Sequence, residues 1–307
     1  MDRIILLVSG GIDSVCMLHL FWRLKKKINI NLLIVNFNHK LRKESTKESE
    51  IVKDLSYRFD LNCIFKNINV KKYSKKKSLS IETAGRNLRY LNTKAIAKKY
   101  KYTKIATAHN ANDNAETVFM WILRGSGNFL GIPQVRQINK NITIIRPILP
   151  IKRELIEEYV SFHKLPFCID QSNLSDKYTR NKIRLSIIPT CKRINSMVIE
   201  HIFSLSCIQI REKKYLEEIS NKLLKKCVKI QKNQISLDLQ TFLQYNEAVR
   251  FRILKNILPE KKYSVHIDFI MYKIVTSSVF VYELSKNWIF KINLKKAYFY
   301  KIERNEV

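Results

Sequence analysis

The first half of the chain alternates short apolar runs with longer amphipathic segments. The apolar runs have the length of buried strands, whereas the segments between them repeat apolar residues at helical spacing. The predicted strands are residues 3–8, 32–37, 63–68 and 104–108, and the predicted helices are residues 15–24, 45–59, 81–99 and 115–123. Because strands that alternate with helices form parallel sheets, we predict an α/β fold in which helices cover both faces of a parallel sheet.

The pattern changes after Pro147 and Pro150. Further helices are predicted at residues 153–163, 208–228 and 241–258. Residues 279–302 alternate like two or three strands. We therefore predict a first domain over residues 1–192 and a smaller, mainly helical C-terminal domain over residues 193–307, which ends in a short β-hairpin region.

Positive charge dominates the composition. The chain has 57 Lys and Arg against 26 Asp and Glu, a formal net charge of +31. Such an excess favours binding to a polyanion, and nucleic acid is the leading candidate. The excess of lysine can also follow from AT-rich coding, since the chain is rich in Lys, Ile, Asn and Tyr. The two explanations of the charge are compatible.

Cysteine spacing and hydropathy bear on the location of the protein. The six cysteines form no CxxC pair, which fits reduced thiols in a reducing compartment. No apolar run approaches the length of a membrane span, and the chain starts with a strand, so we expect neither an anchor nor a cleaved leader. We expect the protein in the cytoplasm, or inside an organelle that makes its own proteins.

The sharpest local signal is SGGIDS at residues 9–14, between a predicted strand and a predicted helix. Gly10 and Gly11 permit a tight turn, and the amides at the following helix N-terminus favour an anion. Asp13 would repel a bare phosphate but suits Mg²⁺ held against phosphates. The alternative is a plain glycine turn with a helix-capping side chain.

SGGIDS resembles the signature of the ATP pyrophosphatases of the PP-loop superfamily, whose fold is similar to that of adenine nucleotide α-hydrolases. The resemblance implies that ATP and Mg²⁺ are cofactors. It assigns ATP binding to Ser9, Gly10, Gly11, Ile12, Asp13 and Ser14, with Asp13 as the magnesium ligand and a catalytic residue.

Two further segments resemble the tRNA(Ile)-lysidine synthases within that superfamily. Residues 35–42, VNFNHKLR, are similar to the NHxLR element, which the thiolating relatives share, and they place His39 and Arg42 at the substrate. Taken alone, His39 would suit a capping or packing residue. Residues 82–90 are similar to the EAARxxRY helix. There Arg86 is assigned to catalysis and Arg89 to RNA or phosphate, although two arginines three residues apart also suit a solvated basic face.

Residues 109–127 resemble the family's HxxDDQxET…RGSG element. The resemblance implies catalytic roles for Asp113 and Glu116, and substrate binding by Arg124. The chain departs from the family pattern at Asn112, usually Asp, and at Asn114, usually Gln. The alternative for the two carboxylates is a charge complement to a helix N-terminus.

The stretch from Arg146 to Arg184 resembles elements that are specific to the lysidine synthases, namely RPLL…R.E and DxSN…TRNxIR. An acid, amides and arginines flank one loop, which suits a cover over a small substrate and a grip on RNA phosphate. The alternative is a loop held by internal ion pairs. The residues implied in substrate binding are Asp170, Asn173, Arg180, Asn181 and Arg184.

The resemblance covers about residues 3–192 and implies a reaction. The family attaches free L-lysine to carbon 2 of the wobble cytidine of a tRNA(Ile) with a CAU anticodon, through an adenylated intermediate. The product reads AUA instead of AUG. The family analogy also suggests a homodimer and a C-terminal domain that binds tRNA.

Two alternatives remain open. One is a related tRNA 2-thiocytidine synthetase, which the lack of a CxxC pair disfavours. The other is a nucleotide-binding RNA adaptor without catalysis, which the departures at Asn112 and Asn114 leave open.

Overall fold

The computed structural model describes residues 2–38, 45–125, 131–168, 179–258, 266–285 and 287–302. The chain folds into two compact units, Met1–Gln209 and Ile210–Val307. The division lies inside a long helix, Val198–Cys227. The domain boundary predicted at residues 192/193 precedes this helix and stays a prediction.

A six-stranded sheet forms the centre of the first unit. Its strands are β1 (Asp2–Leu7), β2 (Ile30–Asn38), β3 (Cys63–Asn67), β4 (Lys104–Ala106), β5 (Val135–Asn139) and β6 (Ile142–Ile145). The strand order is β3-β2-β1-β4-β6-β5, and every pairing is parallel except that of β5 with β6 at the edge. The predicted parallel α/β fold is confirmed.

Helices pack on both faces of this sheet. The helices of the unit are α1 (Ile12–Lys25), α2 (Ser45–Arg58), α3 (Val70–Lys77), α4 (Ile81–Lys99), α5 (Ala111–Leu123), α6 (Arg153–Phe162), α7 (Thr179–Lys182), α8 (Ile188–Ile194) and the first part of α9 (Val198–Cys227). Of these, α8 and α9 pack on α5. Because strand residues alternate between faces, Ile4 packs with Val15 and Ile156 while Ile5 packs with Ile96. Each fully buried side chain of this size stabilises the fold by about 1.5–3 kcal/mol.

The strands and helices predicted for residues 3–108 are present as β1–β4, α1, α2 and α4, with small shifts at their ends. The helix predicted from residue 115 begins earlier, at Ala111, because Asn110 and Asp113 form a reciprocal capping box there. The apolar pattern does not predict α3, β5 or β6, since they are only 8, 5 and 4 residues long.

The second unit is built on a five-stranded antiparallel sheet. Its strands are β7 (Val228–Ile230), β8 (Gln234–Asp238), β9 (Val279–Ser285), β10 (Trp288–Asn293) and β11 (Lys296–Lys301), in the order β7-β8-β11-β10-β9. The helices of the unit are the second part of α9, α10 (Leu239–Leu243), α11 (Glu247–Ile257) and α12 (Ile267–Thr276). One core joins Phe290 and Phe299 of the sheet with Ile253 and Ile270 of the helices.

The predicted organisation of the C-terminal region, helices followed by strands, is confirmed with two changes. The helix predicted over residues 241–258 is divided into α10 and α11, because Asn246 accepts a hydrogen bond from the Ala248 amide and caps a new helix. Strands β7 and β8 add to the three predicted strands. They are too short to give a clear alternation by themselves.

None of the helices in the described ranges is long and apolar enough to cross a membrane. All six cysteines lie within those ranges, and none of them takes part in a disulfide there.

Alternation along β11 yields a stability prediction for the second unit. Phe299 is fully buried in the core, whereas its neighbour Tyr298 points to the other face and is partly exposed. We expect Phe299→Ala to lower the free energy of unfolding by about 3–5 kcal/mol. Tyr298→Ala, the control, should cost about 1 kcal/mol or less. Hydrogen exchange of peptides from residues 288–301 in increasing urea measures both, and equal losses would contradict the assigned faces.

Candidate active site

A cavity of about 310 Å³ opens at the carboxyl ends of β1, β2 and β4. The chain runs outward from β1 through β2 to β3, and then returns to place β4 on the other side of β1. The loops after β1 and β4 therefore leave the sheet in opposite directions, and a crevice forms between them. Residues that follow both strands, such as Ser9 and His109, line the cavity.

The SGGIDS loop closes on itself through its two serines. The Ser9 amide donates to Ser14 Oγ at 3.2 Å, and the two hydroxyl oxygens lie 3.2 Å apart. Ser14 Oγ in turn donates to the Gly11 carbonyl at 2.8 Å. Gly11 caps α1 without a side-chain hydrogen bond, so the first-turn amides of this 14-residue helix are not satisfied by a cap. The predicted anion site thus lies at a helix N-terminus on the cavity wall.

Gly10 is the one position of this loop that tolerates no side chain. Its φ is +92°, a conformation that L residues rarely adopt. A Cβ there would also lie 2.8 Å from the carbonyl oxygen of Glu48 and 3.3 Å from its Cα. The loop therefore passes directly against the backbone of α2.

Asp13 lies on the cavity wall, held by two partners. Its Oδ1 accepts from Asn110 Nδ2 at 2.9 Å, and its Oδ2 accepts from Arg153 Nη1 at 2.6 Å. Burial raises the pKa of Asp13, while the positive charge of Arg153 and the Asn110 hydrogen bond act in the opposite direction. The carboxylate is therefore fixed in position by residues that lie 97 and 140 positions away in the chain.

Asp113 also lines the cavity, with its side chain 18% exposed. Its Oδ2 accepts from the Asn110 amide at 3.1 Å as part of the capping box of α5. Its Oδ1 accepts from Arg180 at 3.1 Å. Asn110 thus connects the two aspartates, because its backbone N–H donates to Asp113 and its side-chain Nδ2 donates to Asp13.

Glu116 lies one turn further along α5, only 1% exposed, and it is not among the residues that line the cavity. Arg180 Nε and Arg184 Nε donate to its two oxygens, each at 2.6 Å. A buried carboxylate requires such partners, and removing one partner of a buried pair costs about 3–5 kcal/mol. Glu116 thus contacts two arginines behind the cavity wall, and its predicted catalytic role stays a prediction.

The two arginines that bind Glu116 lie on consecutive helical segments. Arg180 is in α7, and Arg184 is in the π-helical segment Ile183–Ile187 that connects α7 to α8. Segments of this kind are rare and often lie at functional sites. Ile183 is buried against Ala115 and Ile199 in the same small core, which fixes the segment on α5.

Three arginines, Arg86, Arg89 and Arg180, contribute to the cavity wall. The first two are exposed residues of α4 and share a face of that helix, as predicted from their spacing. Arg180 reaches the cavity although its guanidinium also binds Glu116 and Asp113. The wall thus combines helix N-terminal amides with guanidinium groups, a combination that suits the phosphates of a nucleotide.

His109 is neutral in this setting. Burial and the positive charges of Arg146, Arg180, Arg86 and Arg89 lower the pKa of His109 to about 3. Its Nδ1 lies 3.0 Å from Thr107 Oγ1. A neutral imidazole can accept a hydrogen bond from the ligand.

The two departures from the family pattern make structural contacts. Asn112 Oδ1 accepts from the Arg153 amide at 3.1 Å at the start of α6, so it positions the partner of Asp13. Asn114 is fully buried; its Oδ1 accepts from the Ile132 amide at 2.6 Å, and its Nδ2 donates to Ser206 at 2.9 Å. Neither side chain lines the cavity.

Of the predicted substrate residues, three do not line the cavity and four lie outside the described part of the chain. His39, Arg42, Asp170 and Asn173 lie outside the described residues. Arg124 is exposed at the far end of α5, about 16 Å along the helix axis from Asp113. Arg184 contacts Glu116 behind the wall, and Asn181 is half-buried in α7 without lining the cavity.

Sequence patterns missed three residues that organise the site. Asn110 and Arg153 hold Asp13, and His109 lines the cavity. Asn110 carries a local signal, since an Asn three residues before an Asp is typical of a capping box. Arg153 belongs to the R.E element, but that pattern does not name its partner, because the contact with Asp13 exists only in the folded chain.

Comparison with known proteins agrees with this architecture. The model of the PP-loop domain family matches residues 1–191. A tRNA(Ile)-lysidine synthase of Clostridioides difficile is 40% identical over 258 residues, which cover 83% of this chain and 55% of that protein. One from Petrotoga mobilis is 34% identical over 254 residues, which cover 83% of this chain and 79% of that protein.

This chain thus spans about half the length of the clostridial relative and most of the Petrotoga one. Among solved structures, the U34-tRNA thiolase NcsA of Methanococcus maripaludis, with its 4Fe-4S cluster, is similar with a TM-score of 0.56. The alignment covers 67% of this chain and 72% of that chain at 18% identity. At that identity the likeness concerns the fold alone.

The contact of Gly10 with α2 predicts that Gly10→Ala impairs ATP binding. The substitution combines a strained φ with a clash against backbone, so the loop must move. Gly125→Ala is the matched control, because Gly125 also has a positive φ, +59°, but has no neighbour within 4 Å of an added Cβ. Calorimetric titration with ATP should show at least about tenfold weaker binding for the first variant only. Equally weakened ATP binding in both variants would mean that backbone strain, and not the contact of residue 10 with Glu48, causes the loss.

The pKa of His109 predicts a loss of stability in acid. The folded chain holds this imidazole neutral down to about pH 3, whereas the unfolded chain protonates it near pH 6.5. Unfolding therefore takes up one proton more between these values, and stability falls as the pH is lowered through this window. In His109→Gln the uptake should decrease by about one proton, measured from urea unfolding at several pH values. His201→Gln, at an exposed histidine of α9, serves as the control. An unchanged uptake in His109→Gln would contradict the prediction.

Proposed function

Because the chain belongs to the PP-loop domain family and to the tRNA(Ile)-lysidine synthases, we propose that it joins free L-lysine to a cytidine of tRNA(Ile) at the expense of ATP. The observation that carries the proposal is the convergence of the SGGIDS loop, Asp113 and Arg180 on one cavity. These groups come from three separate parts of the sequence. Together they offer the phosphate site, the carboxylate and the cation that such a transfer needs.

ATP is proposed to bind with its phosphates against residues 9–14 and Arg86. The N-terminal amides of α1 and the guanidinium groups complement the phosphate charge. The volume of about 310 Å³ is at the lower end of the range for small-molecule sites. A nucleotide would therefore extend from the cavity toward solvent.

Asp13 is proposed to hold Mg²⁺, with Asp113 nearby as a second carboxylate. Their oxygens are of the type that Mg²⁺ prefers, and this ion is commonly bound by one or two carboxylates together with substrate phosphates. The ion would neutralise charge on the transferring phosphate. Arg153 now pairs with Asp13, so it balances this carboxylate before the ion arrives.

The proposed reaction has two steps. In the first, the O2 oxygen of the wobble cytidine attacks the α-phosphorus of ATP, the bond to the β-phosphate oxygen breaks, and pyrophosphate leaves. In the second, the ε-nitrogen of lysine attacks C2, the C2–O2 bond breaks, and AMP leaves with the oxygen. Arg86 and Arg180 line the cavity, where they would stabilise the charge that develops on the phosphate.

The attacking amine must lose a proton, and Asp113 is the proposed acceptor. It lines the cavity, whereas Glu116 is buried behind Arg180. General-base catalysis by a placed carboxylate contributes about 100- to 10,000-fold to a rate. Glu116 is proposed to act through the arginines that it holds.

RNA binding is proposed from charge and from the family. The net charge of +31 favours a polyanionic partner. The anticodon loop is single-stranded, so its wobble base can leave the stack at a small cost. Residues His39, Arg42, Asp170 and Asn173 keep their proposed substrate roles, and the homodimer stays a prediction.

The proposal is tested by incubating the protein with ATP, Mg²⁺, lysine and a CAU-anticodon tRNA(Ile), followed by mass spectrometry of the digested tRNA. A lysine-sized gain on the wobble cytidine, with release of pyrophosphate and AMP, is expected. ATP binding without pyrophosphate release would favour the RNA adaptor. A sulfur-sized gain after addition of a sulfur donor would favour the thiocytidine synthetase.

Asp113→Asn should lower the turnover number about 100-fold or more while ATP still binds, because the amide cannot accept the proton. Asp54→Asn is the matched control, since Asp54 is an exposed residue of α2 away from the cavity. Single-turnover formation of modified tRNA measures both variants. Normal turnover in Asp113→Asn would exclude Asp113 as the acceptor.

A further inference from the structure

The five-stranded sheet of the second unit has one covered face and one open face. Phe290, Ile292 and Phe299 are fully buried against α10–α12 and the end of α9. Residues one position away along each strand point to the opposite side. Among the described residues, the core that the helices of this unit form contains none of the strand residues that point to that side.

The strand register defines what this open face presents. Lys291 of β10 lies between Val281 of β9 and Tyr298 of β11, and Tyr298 pairs in turn with Ser236 of β8. Ser236 pairs with Lys229 of β7, so one row crosses all five strands. We call the residues of this row, together with Tyr300 and Lys296 of β11, the platform.

Two stacked tyrosines form the centre of the platform. The rings of Tyr298 and Tyr300 are 5.5 Å apart between centroids and inclined by only 20°. Both side chains are partly exposed. Parallel aromatic rings on a rigid strand provide flat π surfaces that are preorganised for stacking.

Positive charge surrounds these rings. Lys229 and Lys296 are exposed and Lys291 is partly exposed. Two acidic residues share the face, Glu283 on the edge strand β9 and Asp238 of β8, which pairs with Lys296. The second unit as a whole carries 20 Lys and Arg against 10 Asp and Glu. A partner for this face should therefore carry negative charge for the lysines and planar groups that can stack on the tyrosine rings.

We propose that the platform binds unpaired nucleotides of RNA, with bases stacked on Tyr298 and Tyr300 and phosphates next to Lys229, Lys291 and Lys296. Single-stranded nucleic acid is the partner that combines π-faced bases with a regular series of negative charges. An acidic protein would satisfy the lysines but would not use the stacked rings. The inference rests on the proposed function only in that both require RNA.

The test uses the full-length chain and a fluorescent, unstructured RNA of about 12 nucleotides, within the site sizes of single-strand binders. Tyr298→Leu should weaken binding at least about fivefold, because stacking on an aromatic ring is lost. Tyr298→Phe keeps the ring and should retain affinity within about twofold. Tyr272→Leu, at an exposed tyrosine of α12, is the matched control.

Salt dependence tests the charged part of the platform. Lys291→Gln should reduce the slope of log Kd against log salt by about 0.7, the value for one single-strand phosphate contact. Lys255→Gln removes an exposed lysine of α11, away from the sheet, and should leave the slope unchanged. The same RNA annealed to its complement should bind less tightly and lose its sensitivity to Tyr298→Leu.

The outcomes separate this surface from the proposed reaction. Weaker RNA binding and a higher KM for tRNA in Tyr298→Leu, with unchanged ATP affinity, support the platform. Wild-type values for Tyr298→Leu in both assays overturn it, even if the chain modifies tRNA. If the wild-type chain modifies no tRNA but its RNA binding depends on Tyr298, the platform stands and the proposed function fails.

Discussion

A carboxylate that is almost completely buried must be neutralised where it lies, and Glu116 meets this requirement with Arg180 and Arg184. The need to neutralise Glu116 affects more than one ion pair. It ties α5 to α7 and to the π-helical segment, and this places the Arg180 guanidinium at the cavity. The same guanidinium contacts Asp113, which caps α5. One buried charge thus fixes where Arg180 lies relative to Asp113 at the cavity wall.

The sheet supplies the second constraint. The cavity lies where the strand order reverses between β1 and β4, so the SGGIDS loop and the start of α5 come from opposite sides of one crevice. Asn110 and Arg153 connect the two sides through Asp13. The charges within the site are largely balanced, since Asp13, Asp113 and Glu116 each have a cationic partner. The amides of α1 and the arginines of α4 also face the cavity and suit an anionic ligand.

The two units carry different kinds of surface. The first carries the cavity and the motifs of the PP-loop family. In the second, no described residue lines that cavity, and the sheet presents an open, basic and aromatic face. An enzyme that acts on a large RNA needs both a small reaction site and a wide surface for its substrate. A surface that uses stacking and phosphate contacts binds without reading much sequence, so selection of the tRNA would depend on several regions together.

The sequence by itself determined the parallel sheet, most helices of the first unit and the phosphate loop, because strand alternation, helical spacing and glycine turns are local properties. It also identified Asp13, Arg86, Arg89, Asp113 and Arg180, which line the cavity. It did not determine that Glu116 is buried behind arginines, that Arg124 lies away from the site, or that Arg153 holds Asp13. Nor did it show that β7 and β8 complete the second sheet. Those properties depend on contacts between residues far apart in the chain, and only the tertiary structure fixes which distant charges must neutralise each other.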